Sequence, residues 1–393
     1  MNTVVIREGK ALIHIPDPSH AIQGNRFEPA WLPVFYNPLM VFNRDLSILV
    51  LDTYTRLYAP HKPIKAIDAL SGTGVRAVRL ALEVDDIEYI HANDIDPLAV
   101  KLIEFNSMLN NVGEKVKVHR MDANRLLNTI RTEHHEPILY VDIDPFGSPA
   151  PFAREALYTT GHHGLAAFTA TDLGVLEGSK PRPARRKYWV EIRKTPESKE
   201  VGLRVLLGFL ARTAASLDKS IRPLLSYYAD HYYRVYLLLE RGSKKADAML
   251  ESMIGYATYC KELKRTFLEQ VSCPSGEKGT VIGPLWKGPL SDPEFVNRVR
   301  GGLSRFGYLE TFDRIIKLID MLVAEAHVCT NCIHYRIDYV ASAVSTSMPP
   351  RERLIEDLIS LGYRVSRTHF SPLGIRTNAP YSIVSYLIRK YSR

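Results

Sequence analysis

Four cysteines among 393 residues are too few for a fold built on disulfides, so the chain must hold itself together by burying apolar surface. No apolar stretch approaches the ~20 residues that a membrane-crossing helix needs. The opening residues, Met1 to Lys10, lack the basic-then-apolar order of a secretory signal. A cytoplasmic protein is expected, with no membrane association and no obligatory protein partner. There is no internal repeat and no low-complexity tract. Two further absences bear on chemistry. The turn Ala69-Leu-Ser-Gly-Thr-Gly-Val-Arg76 lacks the third glycine of G-x-G-x-x-G, because Ala77 stands there. The same turn carries no Gly-Lys-Ser/Thr for phosphate. A ligand with a pyrophosphate is therefore disfavoured.

What is present reads as an ordinary globular chain, 46% apolar and 24% charged, and long enough for two domains. Its formal charge of +8 suits a polyanionic partner without requiring one. Ile64 to Asp68 is a short apolar strand that runs into the Gly72/Gly74 turn and a helix reaching about Val84. A second strand, Ile87 to Ala92, ends in Asn93-Asp94-Ile95-Asp96. An acid at that place takes ribose hydroxyls in a doubly wound sheet. A third, Val116 to Arg120, ends in Met121-Asp122-Ala123, suited to an adenine edge. Four successive strands that end in a glycine turn or a carboxylate fit a ligand with a ribose, a base and a cationic tail. S-adenosylmethionine has those parts and no pyrophosphate.

The fourth strand, Ile138 to Ile143, leads into Asp144-Pro145-Phe146. An exocyclic amine on a base is a poor nucleophile, since its lone pair is delocalised into the ring. A carboxylate (Asp144) accepting one N–H and a carbonyl (Pro145) accepting the other draw the nitrogen toward tetrahedral geometry, while an aromatic face (Phe146) holds the base. Methyl transfer to such an amine needs no metal. Methylation of adenine N6 uses the same logic, and a nicotinamide-dependent oxidoreductase is disfavoured by Ala77.

Elsewhere the functional and the plain readings stand side by side. Val4 to Ile15 reads as a strand or hairpin. Asn43-Arg44-Asp45 looks like a helix start with Asp45 as cap and the helix running from Leu46 to Tyr58. Arg44 is either a surface residue or a bidentate fork on a cofactor carboxylate. Phe35 and Tyr36 are either core or walls of a base pocket. A fifth strand covers Gly164 to Thr171. Ser179 to Tyr188, rich in Arg and Lys and carrying two prolines, is expected to be a loop rather than a helix interior, with Arg182, Arg185, Arg186 and Lys187 on phosphates. A helix (Val201 to Leu217) and a strand pair (221–228 and 232–240) follow, and 241–245 is expected to close a first domain, 1–243, ahead of a second, 244–393. There Cys329 and Cys332 are expected as two reduced structural cysteines. His369 is expected in the core, and Arg376 and the basic tail at an RNA backbone.

Phe35-Tyr-Asn-Pro-x-Met, Asn43-Arg-Asp45, Asp68-Ala-Leu-Ser-Gly-Thr-Gly-x-Arg76, Asn93-Asp-Ile and Asp142-Ile-Asp-Pro-Phe-Gly-Ser148 resemble the archaeal tRNA (guanine-26-N2)-dimethyltransferases, in order and over the length of the chain. The resemblance implies a class I methyltransferase-like α/β fold, a doubly wound and mostly parallel sheet, with a smaller α+β tRNA-binding domain at the C-terminal side. It implies transfer of one or two methyl groups from S-adenosylmethionine to N2 of a tRNA guanine, guanine 26. Carried over by motif, Arg44, Asp68, Gly72, Arg76, Asp94, Asp122 and Ala123 would bind the cofactor. Asp144, Pro145 and Phe146 would be catalytic, and Phe35, Tyr140 and Phe146 would line the base pocket. Relatives often carry two C-x-x-C pairs where this chain keeps only Cys260 and Cys273. Two thiolates cannot close a tetrahedral site, so no metal is expected there, and the two can pair with each other.

Overall fold

The computed structural model describes residues 2–23, 26–59, 62–135, 137–270, 272–329 and 332–391. In chain order the elements of the first part are β1 (Thr3–Glu8), β2 (Ala11–Pro16), β3 (Ile22–Gln23), β4 (Arg26–Phe27), α1 (Val41–Tyr58), β5 (Ile64–Asp68), α2 (Val75–Glu83), β6 (Ile87–Asn93), α3 (Pro97–Leu109), β7 (Val116–His119), α4 (Ala123–Thr132), β8 (Ile138–Ile143), α5 (Ala150–Thr159) and β9 (Thr160–Ala170). Then come α6 (Leu173–Leu176), α7 (Pro181–Tyr188), α8 (Ser198–Ala215), β10 (Lys219–Ala229) and β11 (Tyr232–Arg241).

One seven-stranded sheet has the order β10-β11-β9-β8-β5-β6-β7. The pairs β5–β6, β5–β8, β6–β7 and β8–β9 are parallel. Strands β5 and β8 are short apolar runs with most residues buried, as expected for parallel strands covered on both faces. The chain leaves β5 for β6 on one side and reaches β8 on the other. The carboxyl ends of β5 and β8 therefore flank the point where the winding reverses, which is where open α/β sheets bind ligands.

Two compact units emerge, and they are not sequential halves split at 243. One comprises Met1–Thr169, Tyr236–Glu240 and Arg298–Lys317; the other comprises Ala170–Val235, Arg241–Asn297 and Leu318–Arg393. The chain returns twice to the first unit, and a reading along the sequence cannot register such returns.

Within the first unit, α1 starts at Val41, five residues before the expected Leu46. The turn Pro38–Met40 precedes it, with the Asn37 side chain accepting the Leu39 N–H at 2.9 Å. Asp45 is thus no cap. It lies inside the helix, fully buried, with Arg79 at 2.7 Å. Helix α1 is buried along 41–55 on every side, which obliges its polar residues to find partners. Glu8 receives Arg44 (2.7 Å), Arg79 (2.8 Å) and the Tyr36 hydroxyl (2.9 Å). Burial alone would raise its carboxyl, but Arg44 and Arg79 outweigh that and hold it at about 2.

The second unit contains three further strands, β12 (Ile254–Cys260), β13 (Arg265–Leu268) and β14 (Thr280–Trp286), antiparallel in the order β13-β12-β14. Its last part is another small sheet, β15 (Tyr335–Arg336), β16 (Val365–Thr368) and β17 (Ser371–Thr377), with the helices at 337–343, 351–360 and 381–390. Leu354, Leu358, Ile375, Val384 and Ile388 form their shared core. Cys260 and Cys273 are disulfide-bonded, with Glu277 close to both sulfurs. Cys329 and Cys332 are also paired, so the expected pair of reduced thiols is corrected. Their Cα atoms lie 5.9 Å apart, within the reach of a disulfide. Arg376 is corrected too: it is 3% exposed and held by Glu200 (2.9 Å) and Glu325 (3.0 Å), out of reach of RNA. Thr330 and Asn331 between the paired cysteines, and Ser392 and Arg393 of the tail, lie outside the described residues.

Candidate active site

Loop 69–74 opens the site. Gly72 has φ +54° and Gly74 φ +79°, conformations that side chains resist. A Cβ on Gly72 would stand 3.0 Å from the Phe35 carbonyl oxygen, and one on Gly74 would stand 3.1 Å from Ile103. The Gly72 N–H donates to Asp94 Oδ2 at 2.9 Å, so the carboxylate at the end of β6 is tied to the glycine turn after β5. Asp94 Oδ1 accepts the Asp96 N–H at 3.0 Å. Beside it, Ile95 is 68% exposed, an apolar side chain left open next to an acid.

Asn93 clamps three loop ends together. Its side-chain amide donates to the carbonyls of Ala69 (3.1 Å) and Met121 (3.0 Å), and its Oδ1 accepts the Met121 N–H (3.1 Å). The exposed Asp122 caps α4, accepting the Arg125 N–H at 3.0 Å, with the buried Ala123 beginning that helix. Asp68 is 1% exposed at the end of β5, and its Oδ2 has no hydrogen-bond partner among the described residues. Burial pushes this carboxyl up to about 7, against Arg76, which lowers it, and with Asp142, which adds to the rise.

At the end of β8, Asp144 is the half-buried carboxylate. Arg76 of α2 donates through Nη2 to Asp144 Oδ2 and to Asn43 Oδ1 (2.9 Å), and through Nη1 to Ser47 Oγ (2.8 Å). Arg76 also lies 3.5 Å from Asp142, which is fully buried. One guanidinium thus aligns the carboxylate at the strand end with two polar residues of α1. Pro145 is buried, and Phe146 is 66% exposed. Phe35 meets Phe146 edge to face, centroids 4.2 Å apart at 78°. Two aromatic residues distant in sequence therefore stand beside one carboxylate.

Some expected residues do other work. Tyr140 is completely buried and donates to Asp142 at 2.5 Å, so it lines no open pocket. Alternation along a strand puts residues 140 and 142 on one face. The fork of Arg44 is occupied by both oxygens of Glu8, at 2.7 Å each. Asn43, Ser47 and Asn93 were not singled out as site residues. The motif Asn43-Arg44-Asp45 was the available signal, but it pointed to a helix start.

The basic run is a helix, α7, and not a loop. Pro181 and Pro183 fall in its first turn, where backbone N–H groups need no helical acceptor. Arg182, Arg185, Arg186 and Lys187 are exposed. Arg185 meets Glu191 at 2.6 Å, an exposed pair of little strength, and Lys187 meets the largely buried Asp172 at 3.6 Å.

Residues 9–389 match the family model of N2,N2-dimethylguanosine tRNA methyltransferase. The chain belongs to that family. It is 41% identical over 391 residues to the tRNA (guanine(26)-N(2))-dimethyltransferase of Aeropyrum pernix, covering 98% of this chain and 96% of that one. The enzyme of the same name from Saccharolobus solfataricus is 42% identical over 390 residues, 98% of each. A solved structure of Trm1 from Pyrococcus horikoshii in complex with S-adenosyl-L-methionine superposes with a TM-score of 0.86, at 34% identity, over 98% of this chain and 99% of that one. That superposition takes in the mostly parallel sheet seen here, and no helix among the described residues is long and apolar enough to cross a membrane.

Proposed function

We propose that this chain transfers one or two methyl groups from S-adenosylmethionine to N2 of a guanine in tRNA, guanine 26, and acts in the cytoplasm. The observation that carries the reading is the convergence of Asp144, Phe146 and Phe35 at the winding reversal of the sheet. Membership of the family supports it, as do the names of the Aeropyrum and Saccharolobus relatives.

The residues present fit the cofactor. The unpartnered Asp68 Oδ2 suits its amino group, the glycine turn allows close backbone approach, and Asp94 suits the ribose. Ile95 would offer an exposed apolar contact to adenine, and Asp122 and Ala123 would meet its edge. Arg44, its fork taken by Glu8, has no direct cofactor contact in this reading. Bound there, S-adenosylmethionine supplies a methyl carbon activated by a sulfonium.

Asp144 accepts one N–H of the guanine amine and the Pro145 carbonyl accepts the other. Both contacts pull the nitrogen lone pair out of the ring and toward the methyl carbon. Arg76 keeps the Asp144 carboxylate in one orientation, so no reorganisation is needed as the bond forms. Asp144 then takes the proton that the amine loses. Phe146 and Phe35 receive the unstacked base, offsetting a flipping cost of a few kcal/mol. After one transfer a single N–H remains, so a second transfer proceeds with Asp144 accepting it and the Pro145 carbonyl left without a donor.

The test is incubation with a tRNA transcript and labelled cofactor, followed by mapping of the modified nucleotide. Methylated guanosine at position 26 is expected, and label on adenosine or at N1 would refute the reading. Asp144→Asn should lower kcat by about 100-fold or more with cofactor affinity by calorimetry unchanged.

A further inference from the structure

Trp189 closes α7 in a left-handed backbone conformation, φ +53° and ψ 49°. Glycine or asparagine is the usual residue there, and a bulky side chain is an outlier. Such outliers persist where the surroundings over-determine them, and they concentrate at binding sites. Burial does not explain this one, since Trp189 is 57% exposed. Its N–H donates to the Arg185 carbonyl at 3.1 Å. Arg212 donates to the Tyr188 carbonyl at 2.9 Å and places its guanidinium 6.0 Å from the indole centroid. Phe209 meets the ring at 5.4 Å and 60°. The indole is thus braced on one side and open on the other.

Cations crowd the neighbouring sequence, and the nearby exposed acid, Glu191, is paired with Arg185 at 2.6 Å. Arg182 and Arg186 on α7 are exposed, with no ion-pair partner among the described residues. Arg193, four residues beyond the indole, is also exposed and lies 5.2 Å from the Tyr259 ring. A rigid aromatic face among guanidinium groups is the chemistry that takes a nucleic-acid base by stacking while its phosphates meet the cations.

We infer that Trp189 is a stacking platform for an unstacked base of the tRNA, flanked by phosphate contacts from Arg182 and Arg186. This rests on tRNA being the substrate, and it adds a contact that Asp144, Phe146 and Phe35 do not supply. The platform has few rotatable bonds and a fixed backbone, so little ordering entropy is lost on binding.

The experiment measures the Kd of fluorescently labelled tRNA by anisotropy over a range of KCl, with methyl incorporation assayed in parallel. Trp189→Ala should weaken tRNA binding by roughly 5- to 100-fold, the range of a single base stack. Trp189→Tyr should recover most of the affinity. The slope of log Kd against log salt should stay as in the parent protein, because stacking releases no counterions. Cofactor affinity should not change. An unaltered Kd for Trp189→Ala would overturn the platform. So would a reduced salt slope or lost cofactor binding, because either means that the indole merely props up the helix. A parent protein that binds tRNA but methylates nothing would overturn the activity reading alone, and the Kd comparison would still judge the platform.

Discussion

Asp68 and Asp144 show how differently two carboxylates at neighbouring strand ends are treated. Asp144 sits on Arg76, whereas Asp68 is buried with one oxygen unpartnered and its carboxyl pushed up to about 7. A cationic amine prefers the ionised form of Asp68. Cofactor affinity should therefore fall as pH drops from 8 to 6, since more of the free protein then carries a proton that binding must expel. Asp68→Asn should bind more weakly at pH 8 and lose this dependence, as read by calorimetry at several pH values. A parallel pH profile in the variant would remove Asp68 from cofactor recognition. Both residues were legible in the sequence because they follow apolar strands. Arg76 was legible only as a cofactor ligand. That it orients Asp144 is a fact of helix α2 facing strand β8.

Helix α7 is the element on which sequence reasoning and structure diverge most. Two prolines argue against a helix interior, yet both sit in the first turn, where they are tolerated. Being helical, α7 presents its cations at fixed spacing on a solvated surface. Replacing Arg182 and Arg186 together by alanine should weaken tRNA binding and reduce the magnitude of the salt slope by up to about 2. Anisotropy titrations across salt would show this, and an unchanged slope would make the helix a bystander. Helix α1 diverges more mildly. Its buried acids and bases look like surface residues in sequence, since nothing local announces that Glu8, Arg79 and Asp45 will meet.

The first unit owes part of its acid stability to that meeting. The Glu8 carboxyl is held near 2, below its ordinary 4.5. Its contribution is complete above pH 4.5 and is lost as pH falls toward 2, amounting to ~3 kcal/mol over that window. Glu8→Gln should cost about 3–5 kcal/mol at neutral pH, because Arg44 is left buried beside a neutral amide while Arg79 keeps Asp45 and Glu83. The variant should also lose less stability between pH 4.5 and 2 than the parent. Urea titrations at pH 7 and pH 3 would check both, and equal stability of the two proteins at pH 7 would show that the pairs contribute nothing net. The motifs that carry the family resemblance and the expected mostly parallel α/β sheet agree with the 0.86 superposition on the Pyrococcus horikoshii Trm1 structure.

Local signals determined the strands, the glycine turn, the acid-proline-aromatic end of β8 and, through them, the family. Each depends on hydrophobic periodicity or backbone restriction within about ten residues, so one chain segment carries the whole message. Tertiary structure alone decided that Phe35 meets Phe146, that Arg76 holds Asp144, that Glu8 occupies Arg44 and that Tyr140 is sealed away. The first three join segments tens of residues apart, whereas Tyr140 meets Asp142 within one strand. They follow from desolvation, which forces every buried charge or hydroxyl to find whichever partner the fold brings near.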